Sequence, residues 1–229
     1  MAQEVEQIKA ILRNSRRNFR RNSPSLQAGT PALPESFTED ETDLLSKFYE
    51  LALKWNKRLH LTTLTQPREF FERHILESAF SASLILPSVN QVWDLGSGIG
   101  VPGIVIAILR PDLAVRLVEV SRNKALFLEE AVAHLDLKNV KIVESRFEII
   151  EGLPEESCVT VRAIEKMEKM LPEILRLGAR SSQILIFGAK SLEEKARELI
   201  YVINDKRKIE SLLIPGSNRR YLINIARST

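Results

Sequence analysis

The chain has 229 residues, 44% hydrophobic and 28% charged, which suits one sizeable globular domain with an appendage and excludes a mostly disordered or fibrous protein. Every apolar run is broken by Arg, Lys, Asp or Glu before it reaches the roughly 18 residues that a membrane span needs, so no membrane partner is expected. The net charge of +3 hides an asymmetry, since residues 1–34 carry +4 and the remainder −1.

That excess predicts a basic, flexible N-terminal arm over residues 1–37, joined to the folded part through NSPSLQAGTPALPES. Arg13, Arg16, Arg17, Arg20 and Arg21 are its candidate phosphate contacts, and a solvated tail without a partner fits equally well. The first residues lack the apolar stretch of a secretory signal, and the single Cys158 has no partner for an internal disulfide. A reducing cytoplasm is the expected location.

Folded structure is expected from Thr38, where Thr-Glu-Asp-Glu fits a capping box, followed by a helix with Leu44, Leu45, Phe48, Leu51, Ala52 and Trp55 on one stripe. A second helix follows around PREFFERHILESAFSASLIL, with Pro67 in its first turn, so residues 38–88 read as a helical cap. From residue 89 to 229 the texture changes. Candidate strands VWDL, AVRLVEV, NVKIVES, CVTVRA and QILIFGA alternate with helical segments, which predicts an α/β domain with a mostly parallel sheet covered on both faces. The last two strand-like runs flank Pro-Gly-Ser-Asn and read as an antiparallel hairpin.

The segment DLGSGIGVPG, residues 94–103, joins the first strand to the next helix, at the place where open parallel sheets bind nucleotides. Gly98, Gly100 and Gly103 match the dinucleotide fingerprint in one register, with Glu119 at about the spacing of a ribose-binding acid. Pro102 lies inside the phosphate-cradling stretch and removes an N–H, which disfavours a diphosphate. Carboxylates suit S-adenosylmethionine better, because that ligand carries an ammonium, a sulfonium and a ribose. Asp94 is expected to face the ammonium directly or through water, and Glu119 to accept the ribose hydroxyls.

With these residues assembled, the chain resembles the RsmG family, also called GidB (glucose-inhibited division protein B), bacterial methyltransferases of guanine N7 in 16S ribosomal RNA. WNKRLHLTTLT is similar to the family's WN-x-x-x-NLT segment, RHILES to its RH-I-x-DS helix, and DLGSGIGVPGIVIAILRPD to its glycine loop. SRNKALFLEE, SRFE and VRA are similar to further family segments. The resemblance implies a Rossmann-like, seven-stranded class I methyltransferase sheet using S-adenosylmethionine, with 16S ribosomal RNA or the small subunit as partner; a monomer without a metal is expected. It implies cofactor contacts at Gly96, Val101, Phe147, Glu148 and Arg162, and the glycine turn and its acids add Asp94, Gly98, Gly100 and Glu119. Arg162 is expected near the reacting centre, holding guanine O6 or a phosphate, with a structural ion pair to a carboxylate such as Glu148 as its plainer role. Two departures stand out: Thr160-Val161 replaces the Ser before Arg-Ala, and Phe187-Gly188-Ala189-Lys190 replaces the family's Lys-Gly, with Lys190 as the candidate substrate or RNA contact in place of the missing lysine.

His74 reads as a buried, hydrogen-bonded histidine, Cys158 as core, and Trp55 and Phe48 as packing residues. His60 and His134 lack companions for a zinc site. Arg219-Arg220 and Lys206-Arg207-Lys208 are candidate RNA-backbone contacts or solvated surface. A nucleotide-cofactor oxidoreductase and a non-catalytic RNA-binding or ribosome-assembly factor remain the alternative functions.

Overall fold

A computed structural model describes residues 1–15, 36–164, 166–203 and 205–227. Its core is a seven-stranded sheet made of β1 (Gln91–Leu95), β2 (Ala114–Glu119), β3 (Val140–Glu144), β4 (Ser157–Val161), β5 (Gln183–Gly188), β6 (Lys208–Leu213) and β7 (Tyr221–Ala226). The strand order is β3-β2-β1-β4-β5-β7-β6. The first five strands are parallel, and β7 inserts antiparallel between β5 and β6. The hairpin expectation therefore holds. Strand order reverses between β1 and β4, which opens a crevice beyond the strands' carboxyl ends.

Burial follows position in the sheet. All five residues of central β4 are buried, whereas edge strand β6 alternates between covered and exposed positions. One apolar layer joins the N-terminal helices to one face of the sheet, and a second packs the later helices on the other. These elements are α1 (Ala2–Arg13), α2 (Glu39–Leu59), α3 (Pro67–Phe70), α4 (Glu77–Ser83), α5 (Gly103–Leu109), α6 (Arg122–His134), α7 (Met167–Leu177) and α8 (Ser191–Val202). A π-helical stretch, Phe71–Leu76, makes α3 and α4 one continuous rod. Pro172 sits inside α7 without ending it, because Pro172 lies on the exposed face, where water can take up the hydrogen bond its missing N–H leaves open.

The capping box at Thr38 is present: Thr38 Oγ1 accepts from Glu41 N at 3.2 Å, and Glu41 Oε2 accepts from Thr38 N at 2.7 Å. Folded structure begins earlier than the composition suggested, however. Residues 2–13 form α1, which packs on α2 with Ile8 and Leu12 fully buried, so the expected flexible arm over 1–37 is corrected in its first third. The basic residues masked an amphipathic pattern there, whose apolar stripe is stabilised only by the cap it docks on. Arg13 Nη2 pairs with Glu39 Oε2 at 3.1 Å, so this arginine is engaged with the cap. Arg16, Arg17, Arg20 and Arg21 lie outside the described residues.

The cap is anchored to the sheet by side chains as well as by the apolar layer. Gln183, buried in β5, donates from Nε2 to Leu84 O at 2.8 Å and accepts Leu86 N at 3.1 Å. Phe70 stacks edge-on against Tyr49 and His74, at 4.9 and 4.8 Å between ring centroids, which fixes the rod carrying His74. Trp55 lies 6.0 Å from Phe127 in α6, consistent with packing. Cys158 is buried, and burial pushes its thiol upward. No helix among the described residues is long and apolar enough to cross a membrane.

Candidate functional site

A cavity of about 860 Å³ opens at the carboxyl end of the parallel strands, in the upper range of sites that hold small ligands. Four sheet segments contribute to it: the glycine turn after β1, residues 118–120 at the end of β2, residues 145–148 after β3, and residues 162–164 after β4. The cap closes the opposite side with residues 60–64, Arg73 and His74. Gly96, Gly98, Val101, Glu119, Phe147, Glu148 and Arg162 all line this one cavity. Asp94, Gly100 and Lys190 do not appear on its wall.

The glycine turn takes its shape from backbone geometry. Gly96, Gly98 and Gly100 have φ of +67°, +55° and +91°, the left-handed region that glycine enters without strain. Glu119 then braces the turn, with Oε2 accepting Gly98 N at 2.9 Å and Oε1 accepting Ser121 N at 2.8 Å. Its carboxylate is 5% exposed yet lines the cavity, so a ligand hydroxyl can use the remaining lone pairs.

Asp94 is placed differently from the expectation. Its Oδ1 accepts from Thr160 Oγ1 at 2.9 Å and its Oδ2 from Gly103 N at 3.2 Å, so both oxygens are engaged inside the protein and neither lines the cavity. The acid shapes the loop from behind. Thr160, which read as a departure from the family pattern, is the partner that makes this buried carboxylate tolerable. Val161 is buried in the apolar layer of α7 and is absent from the cavity wall.

Burial raises Asp94 to about 6, against hydrogen bonds from Thr160, Gly103 and Ser97 that favour its charged form. A raised carboxyl binds its proton more tightly in the folded protein, so its stabilising contribution is complete below the unfolded-chain value and is lost as pH rises through about 6. The shift corresponds to a contribution on the order of 3 kcal/mol. Asp94→Asn, which can donate to Thr160 and accept from Gly103, is expected to gain stability relative to the wild type between about pH 4 and pH 7. Urea denaturation of both proteins across that interval measures the difference; a constant gap would refute the role of Asp94.

Arg162 is 9% exposed, lies 5.6 Å from the Phe187 ring centre, and pairs through Nη2 with Glu77 Oε2 at 3.3 Å. The plainer reading of Arg162 had named Glu148 as partner; the structure puts Glu77 there. Sequence reasoning missed Glu77, although RHILES carried it, because helical spacing does not reveal that a helix of the cap meets the tip of β4. Glu77 is buried and also receives Arg73 Nε at 3.0 Å and Arg220 Nε at 2.7 Å. Arg220 is thereby drawn inward from the surface where an RNA contact was considered, and Arg207 is likewise buried against Asp205 and Gly178 O. Lys190 is exposed just before α8.

His74 is buried, with Nε2 2.9 Å from Thr62 Oγ1, and burial together with the charges of Arg162 and Arg73 holds it down at about 3. A neutral imidazole with that value does not serve as a base near neutral pH. Asn56 clamps Thr62 through both its amide atoms, at 2.8 and 2.9 Å, which is how WNKRLHLTTLT delivers residues 60–64 to the cavity. That role was also missed, since the motif had been read only as a resemblance.

The model of the family GidB, rRNA small subunit methyltransferase G, matches residues 41–220. The chain belongs to the GidB family. Two relatives named ribosomal RNA small subunit methyltransferase G agree: that of Dichelobacter nodosus is 34% identical over 78% of this chain and 84% of its own, and that of Nitrosomonas europaea is 33% identical over 87% and 95%. Among solved structures, a putative O-methyltransferase from Klebsiella pneumoniae superposes with a TM-score of 0.58 at 14% identity, over 80% of this chain and 90% of that one. Precorrin-6y C5,15-methyltransferase from Geobacter metallireducens gives 0.51 at 20% identity, over 66% and 87%. These likenesses show the class I methyltransferase fold of this GidB-family chain, in agreement with its mostly parallel seven-stranded sheet and antiparallel C-terminal strand.

Proposed function

We propose that this GidB-family methyltransferase transfers the methyl group of S-adenosylmethionine to N7 of a guanine in small-subunit ribosomal RNA, in the cytoplasm. The observation that carries the cofactor reading is the placement of the two acids. Glu119 presents a carboxylate to the cavity where a ribose would sit, while Asp94 caps the N-terminus of α5 through Gly103 N. In a dinucleotide-binding fold that helix N-terminus receives the diphosphate. Here a buried carboxylate already occupies it, which disfavours the oxidoreductase alternative.

The residues fit the cofactor. Gly96, Gly98 and Val101 would lie along its amino-acid side, Glu119 would accept the ribose hydroxyls, and Phe147 with Glu148 would border the adenine. Gly100 contributes through the turn's shape. When bound, the cofactor supplies an electrophilic methyl on a sulfonium. Guanine N7 carries an in-plane lone pair and no proton, so it would accept that methyl without a base to remove a proton first. No base is needed, which agrees with the low value of His74. What the chain supplies is placement, worth several kcal/mol of barrier when the reacting atoms are held in line. Arg162 is the positioning group for the substrate in this reading.

The test is incubation of the full chain with methyl-labelled S-adenosylmethionine and either naked small-subunit RNA or assembled subunits, followed by mapping of the labelled base. Label recovered as 7-methylguanine supports the reading. Label on another atom overturns the N7 assignment, and RNA binding without any transfer favours the assembly-factor alternative.

A further inference from the structure

Glu77 is a single buried carboxylate that takes three guanidinium groups: Arg73 from the π-helical turn, Arg162 from the end of β4 and Arg220 from the β6–β7 connection. The four residues carry an excess of two positive charges, with Glu77 and Arg162 buried and Arg73 and Arg220 partly exposed, an arrangement that a further anion would stabilise. Arg73 and Arg220 both engage Glu77 through Nε, the side of the guanidinium opposite part of its terminal fork. Their terminal nitrogens have no hydrogen-bond acceptor among the described residues. Arg162 uses Nη2 on Glu77, and its Nη1 is buried without any partner among the described residues. Arg73 and Arg162 both line the cavity, whereas the acid Glu119 ends β2 and the acid Glu148 stands on the segment after β3. Lys124 and Arg146 line the cavity beside those acids, whereas the pair Arg73 and Arg162 is held from behind by the Glu77 carboxylate. Terminal guanidinium forks match the spacing of oxyanion oxygens.

We propose that Glu77 is a positioning residue that presents Arg73 and Arg162 as an oxyanion-binding pair, receiving either a phosphate of the RNA substrate or the carboxylate of the cofactor. The proposal rests on the methyltransferase reading above and adds to it a ligand class and two residues, Arg73 and Glu77. Both sources share the same chemistry, and binding measurements separate them.

The experiment uses the full chain as wild type, Arg73→Gln, Arg73→Lys and Glu77→Gln, with three probes: a small-subunit ribosomal RNA fragment over a salt series, S-adenosylmethionine, and its decarboxylated analogue. If the pair holds a phosphate, Arg73→Gln weakens RNA binding about tenfold at low salt and lowers the salt slope by about one, with both cofactor affinities unchanged. If it holds the carboxylate, S-adenosylmethionine binding falls about tenfold while the decarboxylated analogue binds as before. Arg73→Lys, which keeps the charge, is expected to restore most of the salt slope in the phosphate case, and a folded Glu77→Gln to reproduce Arg73→Gln. Arg73 is partly exposed, so its variants test the idea even where Glu77→Gln does not fold. Unchanged binding of all three probes by Arg73→Gln, beside a wild type that binds cofactor and RNA, overturns the oxyanion pair alone. A wild type that binds neither overturns the methyltransferase reading and this proposal with it.

Discussion

Glu119→Ala is expected to weaken S-adenosylmethionine binding by about 100-fold or more, while the protein stays folded. The substitution removes the acceptor proposed for the ribose hydroxyls and at the same time leaves the amides of Gly98 and Ser121 without their partner. Hydrogen bonds to a charged acceptor contribute roughly 1.5–3 kcal/mol each, and 100-fold corresponds to about 2.7 kcal/mol, so the loss of two such contacts reaches that figure. Glu119→Gln keeps one acceptor oxygen but sets an amide group against a backbone N–H, and its affinity should fall between the two. Calorimetric titration with S-adenosylmethionine decides the matter. A folded Glu119→Ala protein that binds with wild-type affinity would remove the ribose role from this residue.

Gly98→Val and Gly103→Val are expected to fail in different ways, although the two glycines belong to one turn. A Cβ on Gly103 would come within 2.2 Å of Leu117 Cδ2 and 2.8 Å of Asp94 Oδ2, both inside the packed layer between α5 and the sheet. Overpacking of that kind costs about 1–3 kcal/mol, and the displaced Asp94 loses its bond to Gly103 N. For a chain of this size the melting temperature should drop by roughly 3–10 °C. A Cβ on Gly98 meets only Gly96 O, at 3.8 Å, so there is room for it at the margin of the cavity. The left-handed φ of +55° costs Val about 1–2 kcal/mol, and the branched side chain occupies the ligand's approach to the turn. The expected result is loss of most cofactor binding, at least about 30-fold, in a protein that melts only a few degrees lower. Thermal melts with and without S-adenosylmethionine separate the two: the Gly98 variant should lose the ligand-induced rise that the wild type shows. If Gly98→Val retained that rise, the turn would not be the cofactor's seat.

The same two acids show where reading residues in order succeeds and where it stops. The place of Glu119 on the cavity wall was legible because the spacing from a glycine turn to the end of the next strand is set by the βαβ unit itself, and the backbone of that unit repeats across sequences. Asp94 was legible as a residue of the site but not in its orientation. Which way a carboxylate turns at a strand's end depends on Thr160 in β4, a strand that lies beside β1 only after the chain has crossed over. The N-terminal segment failed for a related reason. Its arginines dominate the local composition, and the buried positions Ile8 and Leu12 acquire meaning only against α2.

The order of elements, the parallel sheet with its closing hairpin, the capping box at Thr38, the position of the glycine turn and the family resemblance all follow from local pattern: strand and helix periods, left-handed glycines and short motifs are properties of contiguous residues. The gathering of Arg73, Arg162 and Arg220 on Glu77 does not, since those four residues come from the cap, from β4 and from the last hairpin. Nor does the inward turn of Asp94 or the delivery of residues 60–64 to the cavity by Asn56. Charges find their partners by distance in space, and only the folded chain sets those distances.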